Sequence, residues 1–265
     1  MIWVNGEAQA EVAANDRGVQ FGDGCFTTAH LWQGEVALLP AHIQRLRDAC
    51  ARLLITGVDF EQLEQEMQRL AEQHQNAVMK VILTRGQGGR GYSAAGCASP
   101  TRIISIAPYP ALYPTLQHSG ATLTLSPIAL SRNPLLAGLK HLNRLEQVLI
   151  RTHLEQTEAH EAVVLDTDGA LVECCAANLF WRKGKTVFTP DLSFAGVAGL
   201  MRARVMQQLP ALGYQVEQTS AAFGELASAD EVFITNALMP LISVNRIDAW
   251  CYHSREAAER LRPHC

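Results

Sequence analysis

The chain has 265 residues, of which 48% are hydrophobic and 18% are charged, so it can bury a core and is not a disordered protein. At about 150 residues per domain, this length corresponds to two small domains or one large one. The formal net charge is −4, and no run of lysine or arginine supplies the positive field that binding to a polyanion needs. We therefore expect no nucleic-acid partner.

The cysteines and the apolar segments favour a cytoplasmic protein. Seven cysteines are present, an odd number, and no Cys-x-x-Cys pair occurs, which argues against a disulfide framework and a thiolate zinc site. We expect reduced thiols and no metal. The N-terminus does not have the pattern of a signal peptide, and no uncharged apolar run reaches the roughly 18 residues that cross a bilayer. A cytoplasmic protein without a membrane partner is the expectation.

The first part of the chain alternates short strands with two amphipathic helices. Ile2–Val4 and the Asn-Gly pair that follows predict a strand and a tight turn. Apolar residues at helical spacing predict helices over 41–56 and 60–70. Strands are predicted over 77–84 and 102–107.

A glycine-rich loop over 85–92 connects the last two of these strands. A loop that cradles a nucleotide phosphate opens directly into a helix, whereas a strand follows here, so a nucleotide site is disfavoured. Two alternatives remain. The loop is mobile and closes over a substrate, with Arg85 and Arg90 binding carboxylates, or it is a plain long connection.

Three prolines between residues 108 and 114 predict an extended linker, because proline fixes φ and has no N–H to donate. We place the domain boundary there, with a small α+β domain over 1–112 and a larger α/β domain over 113–265. The pattern of the larger domain predicts strands over 122–126, 161–166, 170–175, 178–182, 186–189, 214–218 and 231–235, and helices over 142–154 and from about residue 199.

Two charged residues stand in apolar surroundings. Lys140, one of four lysines, lies between Leu139 and Leu142, and partial burial favours the neutral amine that Schiff-base chemistry needs. The alternative is an ordinary lysine that extends to water. Glu173 lies in an otherwise uncharged strand, where a carboxylate is costly unless it is paired. It is either the partner of a buried cation or a residue on an exposed strand face.

Two further segments suit an anion. Gly196–Arg202 leads into a helix, whose first backbone N–H groups can hold a phosphate. Thr235–Ala237 ends a strand with hydroxyl and amide groups. Each signal is weak by itself, because many helices begin after a glycine.

Taken together, six separated segments resemble the fold-type IV pyridoxal-phosphate enzymes, the family of branched-chain and D-amino-acid aminotransferases and aminodeoxychorismate lyases. The segments are Asp16–Phe26, His42–Leu46, Lys140–Asn143, Glu173 with Asn178–Phe180, Gly196–Arg202 and Thr235–Ala237. The resemblance extends from about Asn15 to Pro240. It implies the two-domain α/β fold of that family, with a barrel-like mixed sheet in the larger domain, and a homodimer.

The resemblance also implies pyridoxal 5′-phosphate as the cofactor. Lys140 is expected to form the Schiff base with the cofactor aldehyde. Glu173 is expected to face the pyridine nitrogen, where a carboxylate keeps the ring protonated and able to accept electrons. An arginine and a helix N-terminus both favour the phosphate. The other expected cofactor contacts are Arg45, Asn178, Gly199, Leu200, Thr235, Asn236 and Ala237.

Within this family, the segments 21–28, 84–93 and 140–147 are most similar to the aminodeoxychorismate lyases. This similarity implies a small-molecule substrate, 4-amino-4-deoxychorismate, and the products 4-aminobenzoate and pyruvate, as in folate biosynthesis. Lys140 is the expected base, and Lys140 or Thr28 delivers the proton to the leaving side chain, unless Thr28 is an ordinary strand threonine. The candidates for binding the substrate carboxylates are Arg85, Arg90 and Arg102.

Two other functions remain as alternatives. One is a D-amino-acid or branched-chain aminotransferase on the same fold. The other is a non-catalytic binding protein, which the presence of Lys140, Glu173 and Arg45 disfavours, because a degenerate relative would be free to lose them.

Overall fold

The computed structural model describes residues 1–265 and divides them into two compact units. The first unit comprises Met1–Pro110 together with Lys140–Asn143, and the second comprises Ala111–Leu139 together with Arg144–Cys265. The predicted boundary after residue 112 had assigned the four residues that begin with Lys140 to the larger domain. The structure groups them with the first unit instead, because their backbone pairs with a strand of that unit.

The first unit is built on a six-stranded sheet in the order β2-β1-β6-β5-β3-β4, with every pairing antiparallel. Its elements are β1 (Ile2–Val4), β2 (Glu7–Ala8), α1 (Arg17–Phe21), β3 (Gly24–Trp32), β4 (Glu35–Val36), α2 (Leu39–Arg52), α3 (Phe60–Ala71), β5 (Asn76–Thr84) and β6 (Thr101–Pro108).

The two faces of β3 have different neighbours. Its odd-numbered residues from Cys25 to Leu31 are buried, and Cys25 and Thr27 contact Cys50 and His42 of α2. Because side chains alternate along a strand, the even-numbered residues point to the opposite face of the sheet. Helix α2 therefore covers one face only, and the other face of β3 is available for other contacts.

The second unit contains a mixed nine-stranded sheet in the order β12-β11-β10-β13-β14-β7-β8-β9, with β15 pairing to β14. The pairs β11–β12, β14–β7 and β7–β8 are parallel, and the others are antiparallel. The elements are α4 (Leu112–Ser119), β7 (Ala121–Leu125), α5 (Leu145–Leu154), β8 (Glu161–Leu165), β9 (Leu171–Cys174), β10 (Asn178–Lys183), β11 (Thr186–Pro190), α6 (Leu200–Gln208), β12 (Gln215–Thr219), β13 (Glu231–Thr235), β14 (Ile242–Ile247), β15 (Trp250–Cys251) and α7 (Glu256–Leu261).

The central strands β10 and β13 form the core of the second unit. Phe180 and Phe233 are paired in register and stack with their ring centroids 5.1 Å apart. The neighbouring Trp181 points to the other face, where it packs among Leu179, Val232 and other buried apolar side chains. Burial on both faces explains why these strands read as continuous apolar runs rather than as an alternating pattern.

Most of the predicted helices and strands are confirmed, with ends shifted by at most four residues. The prediction of an extended linker over residues 108–114 is wrong for its second half, because Leu112–Ser119 is helical. Pro114 lies in the first turn of that helix, where the missing N–H has no intrahelical partner to lose. Helix α1, strands β2, β3 and β4, and the elements after residue 240 were not predicted. No helix has the length and apolar character needed to span a bilayer.

Candidate active site

Strand β3 holds the segment that contains Lys140. The backbone N–H of Phe26 donates to the carbonyl of Lys140 at 2.9 Å, and the N–H of Leu142 donates to the carbonyl of Gly24 at 3.0 Å. A Cβ at position 24 would collide with the backbone carbonyl of Leu83 on β5 and would lie 2.8 Å from Leu142 Cδ1. Glycine is therefore required at this position, chiefly because the backbone of β5 approaches it so closely.

The side chain of Lys140 lies over an aromatic ring. Its Nζ is 4.7 Å from the ring centroid of Phe26, and the Nζ of Lys80 on β5 is 4.8 Å from the same centroid. Thr28 lies two residues after Phe26 on the same face of β3 and pairs in register with Lys80. The structure thus brings Lys140, Thr28 and Lys80 to one face of the sheet.

Lys80 was not singled out in the sequence, although a signal was present. It is a lysine in the apolar strand β5, which is the same kind of anomaly that drew attention to Glu173. Its ammonium is half-buried and forms no ion pair with a carboxylate of the chain. Two ammonium groups against one phenyl ring make this face suitable for an anionic ligand.

In the second unit, Glu173 and Asn178 bind the backbone of the same residue, Val197. Glu173 Oε2 accepts a hydrogen bond from the N–H of Val197 at 2.8 Å, and Asn178 Nδ2 donates to the carbonyl of Val197 at 2.9 Å. Glu173 is only 5% exposed, so the alternative of an exposed strand face is wrong. Gly196 has φ +84°, and a Cβ there would lie 3.3 Å from Glu173 Oε2.

Helix α6 begins at Leu200, three residues after Val197. Gly199 is its N-cap, and no side chain caps the first turn. The first N–H groups of the helix, beginning with that of Leu200, therefore lack an intrahelical partner and carry the positive end of the helix dipole. A Cβ at Gly199 would lie 2.0 Å from Asn178 Oδ1, so a side chain here would displace Asn178 or the helix terminus. This arrangement suits a phosphate.

The side chains of Thr235 and Asn236 shape a turn. Asn236 Oδ1 accepts hydrogen bonds from the N–H groups of Leu238 and Met239, both at 2.8 Å, and its Nδ2 donates to the backbone. The hydroxyl of Thr235 donates to the carbonyl of Pro240. The expected phosphate contacts of this segment, including that of Ala237, stay predictions.

Arg45 on α2 lies in a desolvated setting. Burial lowers the pKa of its guanidinium to about 10, because the charged form loses hydration. Burial, with a further effect of the Arg45 charge, lowers the pKa of His42 to about 3, so this ring is neutral. The His42 Nδ1 is 2.6 Å from Thr27 Oγ1. A bound anion would offset the desolvation of Arg45.

The guanidinium of Arg85 is engaged within the chain. It donates to both carboxylate oxygens of Asp23, at 2.7 and 3.0 Å, and to the carbonyls of Leu53 and Leu54, each at 2.7 Å. Burial by itself would raise the pKa of Asp23, but hydrogen bonds from Arg85 and Arg17 outweigh it and lower that pKa. Arg85 thus braces the fold around Asp23.

Arg90 is exposed on the glycine-rich loop, whose backbone is held by Arg17. The Arg17 guanidinium donates to the carbonyls of Gly91, Tyr92 and Ser93 at 3.0–3.3 Å. The third arginine considered for the substrate, Arg102, forms a 2.6 Å ion pair with Glu66. Of the three arginines, Arg90 is the one whose guanidinium is not held by an ion pair.

The predicted site residues are divided between the two units. Lys140, Thr28, Arg45, Arg85 and Arg90 belong to the first unit. The remaining ones belong to the second, namely Glu173, Asn178, Gly199, Leu200, Thr235, Asn236 and Ala237. In the second unit, Glu173, Asn178 and Gly199 are brought together around Val197.

Comparison with known proteins identifies the family. The family model described as amino-transferase class IV matches residues 24–247. This chain belongs to the class IV aminotransferase family. Among its relatives, an aminodeoxychorismate lyase from Vibrio harveyi is 38% identical over 249 residues, which cover 94% of this chain and 92% of the relative.

Two solved structures show how far the likeness extends. The 4-amino-4-deoxychorismate lyase from Pseudomonas aeruginosa is 37% identical and superposes with a TM-score of 0.93, covering 99% of this chain and 98% of that one. A hypothetical aminotransferase from Mycobacterium tuberculosis, in its PLP-bound form, is 18% identical, with a TM-score of 0.84 and coverage of 97% and 92%. The fold-class prediction is confirmed, and the second likeness concerns the fold alone.

The donor set of this class IV chain fits pyridoxal phosphate. The cofactor has an aldehyde, a basic ring nitrogen and a phosphate, and the chain offers a lysine amine, a buried carboxylate and a desolvated arginine with an uncapped helix N-terminus. Gly199 has no Cβ that would displace Asn178 from this terminus.

Proposed function

We propose that the chain is a pyridoxal-phosphate-dependent lyase that converts 4-amino-4-deoxychorismate to 4-aminobenzoate and pyruvate, a reaction of folate biosynthesis. The observation that carries this proposal is the 38% identity, along 94% of the chain, to an aminodeoxychorismate lyase. The chemistry of Lys140 and Glu173 agrees with it.

Each of the predicted cofactor residues has a role in this proposal. Lys140 supplies the amine for the aldehyde, and the carboxylate of Glu173 faces the ring nitrogen. The phosphate is received by Arg45, by the first N–H groups of α6 at Gly199 and Leu200, and by the segment Thr235–Ala237, whereas Asn178 holds the α6 terminus in place. When bound, the cofactor serves as an electron sink for the carbon next to the substrate amine.

The proton movements are assigned to residues on the Phe26 face. Lys140 Nζ removes the proton from the ring carbon that bears the amine. A proton is delivered to the methylene carbon of the enolpyruvyl group, the bond between its oxygen and the ring breaks, and the ring becomes aromatic as pyruvate leaves. Either Lys140 delivers the proton that it removed, or the Thr28 hydroxyl delivers one and regains it from Lys140, so none is gained or lost in the overall reaction.

The substrate carries two carboxylates, and cations are needed to hold them. We assign one to Lys80, whose ammonium lies on the same face as Lys140 and Thr28. Arg90 on the exposed loop is the second candidate. The predicted contact by Arg85 would require its guanidinium to leave Asp23 and two carbonyls, so we favour Lys80 and Arg90.

The alternative on the same fold is a D-amino-acid or branched-chain aminotransferase. It is kept because a solved aminotransferase has this fold. An aminotransferase must release a keto acid after one half-reaction and accept another, whereas the lyase returns the cofactor unchanged in a single reaction.

One experiment separates the two functions. The purified protein with pyridoxal phosphate is incubated with chorismate, glutamine and an aminodeoxychorismate synthase, and 4-aminobenzoate is followed by fluorescence and pyruvate by a coupled dehydrogenase. We expect equal amounts of both products. Efficient transamination between an amino acid and a keto acid, without 4-aminobenzoate, would instead support the aminotransferase.

We also propose that the protein is a cytoplasmic homodimer. Leu145, Val148 and Leu149 share one face of α5 and are 71%, 57% and 49% exposed. An apolar helix face of this kind is typical of a surface that a partner covers. The cytoplasmic location is supported by seven free thiols, which a reducing compartment preserves.

A further inference from the structure

Arg144, which precedes the first residue of α5, contacts the peptide that leads into Lys140. Its Nη2 donates to the carbonyl of Leu139 at 2.6 Å. Leu139 is buried and is bonded directly to Lys140 in the chain. The orientation of this peptide thus depends on a side chain five residues further on.

The preceding residue, Gly138, is held by the segment that Glu173 binds. Gly138 donates its N–H to the carbonyl of Gly196 at 2.9 Å and accepts one from the N–H of Ala198 at 3.1 Å. Between those two residues, Val197 donates its N–H to Glu173. Residues 138 and 139 are therefore fixed between the Glu173 segment and Arg144.

The charge of Arg144 also interacts with the carboxylate of Glu173. Burial lowers the pKa of the half-buried Arg144 guanidinium, whereas the charges of Glu173 on β9 and Glu146 on α5 act in the opposite direction. Glu146 Oε1 already accepts two hydrogen bonds, from the N–H and the hydroxyl of Ser131 at 2.9 and 2.6 Å. Glu173 is the carboxylate of this pair that is also proposed to face the cofactor.

We propose that Arg144 is a positioning residue for the cofactor. Through its hydrogen bond and its charge, Arg144 links the peptide before Lys140 to the carboxylate of Glu173. This inference rests on the proposed function and deepens it. Arg144 fixes the carbonyl of Leu139 by a hydrogen bond, and its charge acts on the carboxylate of Glu173. Its positive charge also favours the deprotonated form of the chromophore that the bound cofactor would form with Lys140.

The test compares three variants of the cofactor-loaded protein. Arg144→Gln removes the charge and keeps an N–H donor, and Arg144→Lys keeps the charge without the planar fork. Arg151→Gln is the matched control, because Arg151 is an exposed arginine on the same helix that pairs with Glu155. The measurements are the pH titration of the visible absorbance, the dissociation constant of pyridoxal phosphate, and the thermal unfolding of the protein without cofactor.

We expect Arg144→Gln to move the midpoint of the absorbance titration to higher pH by about half a unit or more, since removing a nearby positive charge favours protonated states. We expect its affinity for the cofactor to fall about tenfold, as for the loss of a charged hydrogen bond. Arg144→Lys should keep the wild-type midpoint and lose part of the affinity. Arg151→Gln should match the wild type in all three measurements.

The proposal is overturned if Arg144→Gln titrates and binds cofactor like Arg151→Gln. If Arg144→Gln does not fold, Arg144→Lys decides: unchanged cofactor affinity in that variant would refute the positioning role. If the wild-type protein takes up no pyridoxal phosphate, the proposed function itself is refuted. If the wild type binds the cofactor and the Arg144 variants behave like it, only the role of Arg144 is refuted.

Discussion

The carboxylate of Glu173 and the backbone N–H of Val197 are joined by a 2.8 Å hydrogen bond. The carboxylate proposed to face the cofactor ring therefore also holds the peptide that leads to Gly199 and the start of α6. Because Asn178 binds the carbonyl of the same residue, the position of the helix N-terminus depends on both side chains.

Because Glu173 has these two roles, substitutions can separate the effect of its charge on turnover from the effect of its hydrogen bond to Val197 on stability. Glu173→Gln keeps an acceptor for Val197, so we expect stability near that of the wild type. Turnover should fall about 10-fold to 100-fold, equivalent to the roughly 1.5–3 kcal/mol of a hydrogen bond to a charged group. Glu173→Ala should also lower the free energy of unfolding by about 1–3 kcal/mol, because a buried N–H is left unsatisfied. Urea unfolding and steady-state kinetics measure the two effects, and wild-type turnover in Glu173→Gln would refute the assignment.

Lys140→Ala should abolish both turnover and the visible absorbance of the bound cofactor. The loss of a positioned base costs about 10²-fold to 10⁴-fold in rate, and the covalent bond to the aldehyde is lost as well. Lys185→Ala is the control, since Lys185 is an exposed lysine that pairs with Glu256. Borohydride reduction followed by peptide mapping checks the attachment site. Normal activity in Lys140→Ala would contradict the proposed chemistry.

Gly199→Ala should weaken cofactor binding and stability together. The new Cβ would lie 2.0 Å from Asn178 Oδ1, so Asn178 or the helix terminus must move, at a cost of about 1–3 kcal/mol. Gly224→Ala is the matched control, because a Cβ there meets nothing within 4 Å. Equilibrium dialysis with pyridoxal phosphate and thermal unfolding provide the readouts. Equal behaviour of the two variants would show that position 199 has room for a side chain.

Lys80→Met tests the assignment of a substrate carboxylate. We expect KM for the substrate to rise about 10-fold to 100-fold, equivalent to the roughly 1.5–3 kcal/mol of a charged hydrogen bond, while the visible absorbance of the cofactor is retained. Lys80→Arg should restore part of the affinity. If Lys80→Met leaves KM unchanged, the carboxylates are held by other cations.

His42 makes stability depend on pH. The pKa is about 3 in the folded protein and 6.5 for an unperturbed histidine, so the unfolded state binds more protons between these values. The contribution of His42 is thus present above pH 6.5 and is lost as the pH falls towards 3. In that window, the free energy of unfolding of the wild type should fall more steeply than that of His42→Gln, by up to about 1.4 kcal/mol per pH unit. Parallel pH profiles would show that His42 titrates normally.

Much of the local structure was predictable from sequence patterns. The apolar spacing of α2 and α3 and the apolar runs of β5, β10 and β13 reflect burial against neighbours, and burial leaves a periodic mark on the sequence. Strand β3 was missed because threonine, histidine and glycine interrupt its pattern. Lys140 and Glu173 stood out because a charge in an apolar segment is costly without a reason.

Tertiary structure alone revealed that residues 140–143 pair with β3 and that two lysines lie against the ring of Phe26. It also revealed that Glu173 and Asn178 both bind the backbone of Val197. It also showed that Arg85 and Arg102 are engaged in ion pairs, whereas in the sequence they were as suitable for the substrate as Arg90. The physical reason is that periodicity records only whether a residue is buried. Which distant group a lysine, an arginine or a carboxylate meets depends on strand register and chain crossing, and neither leaves a local pattern in the sequence.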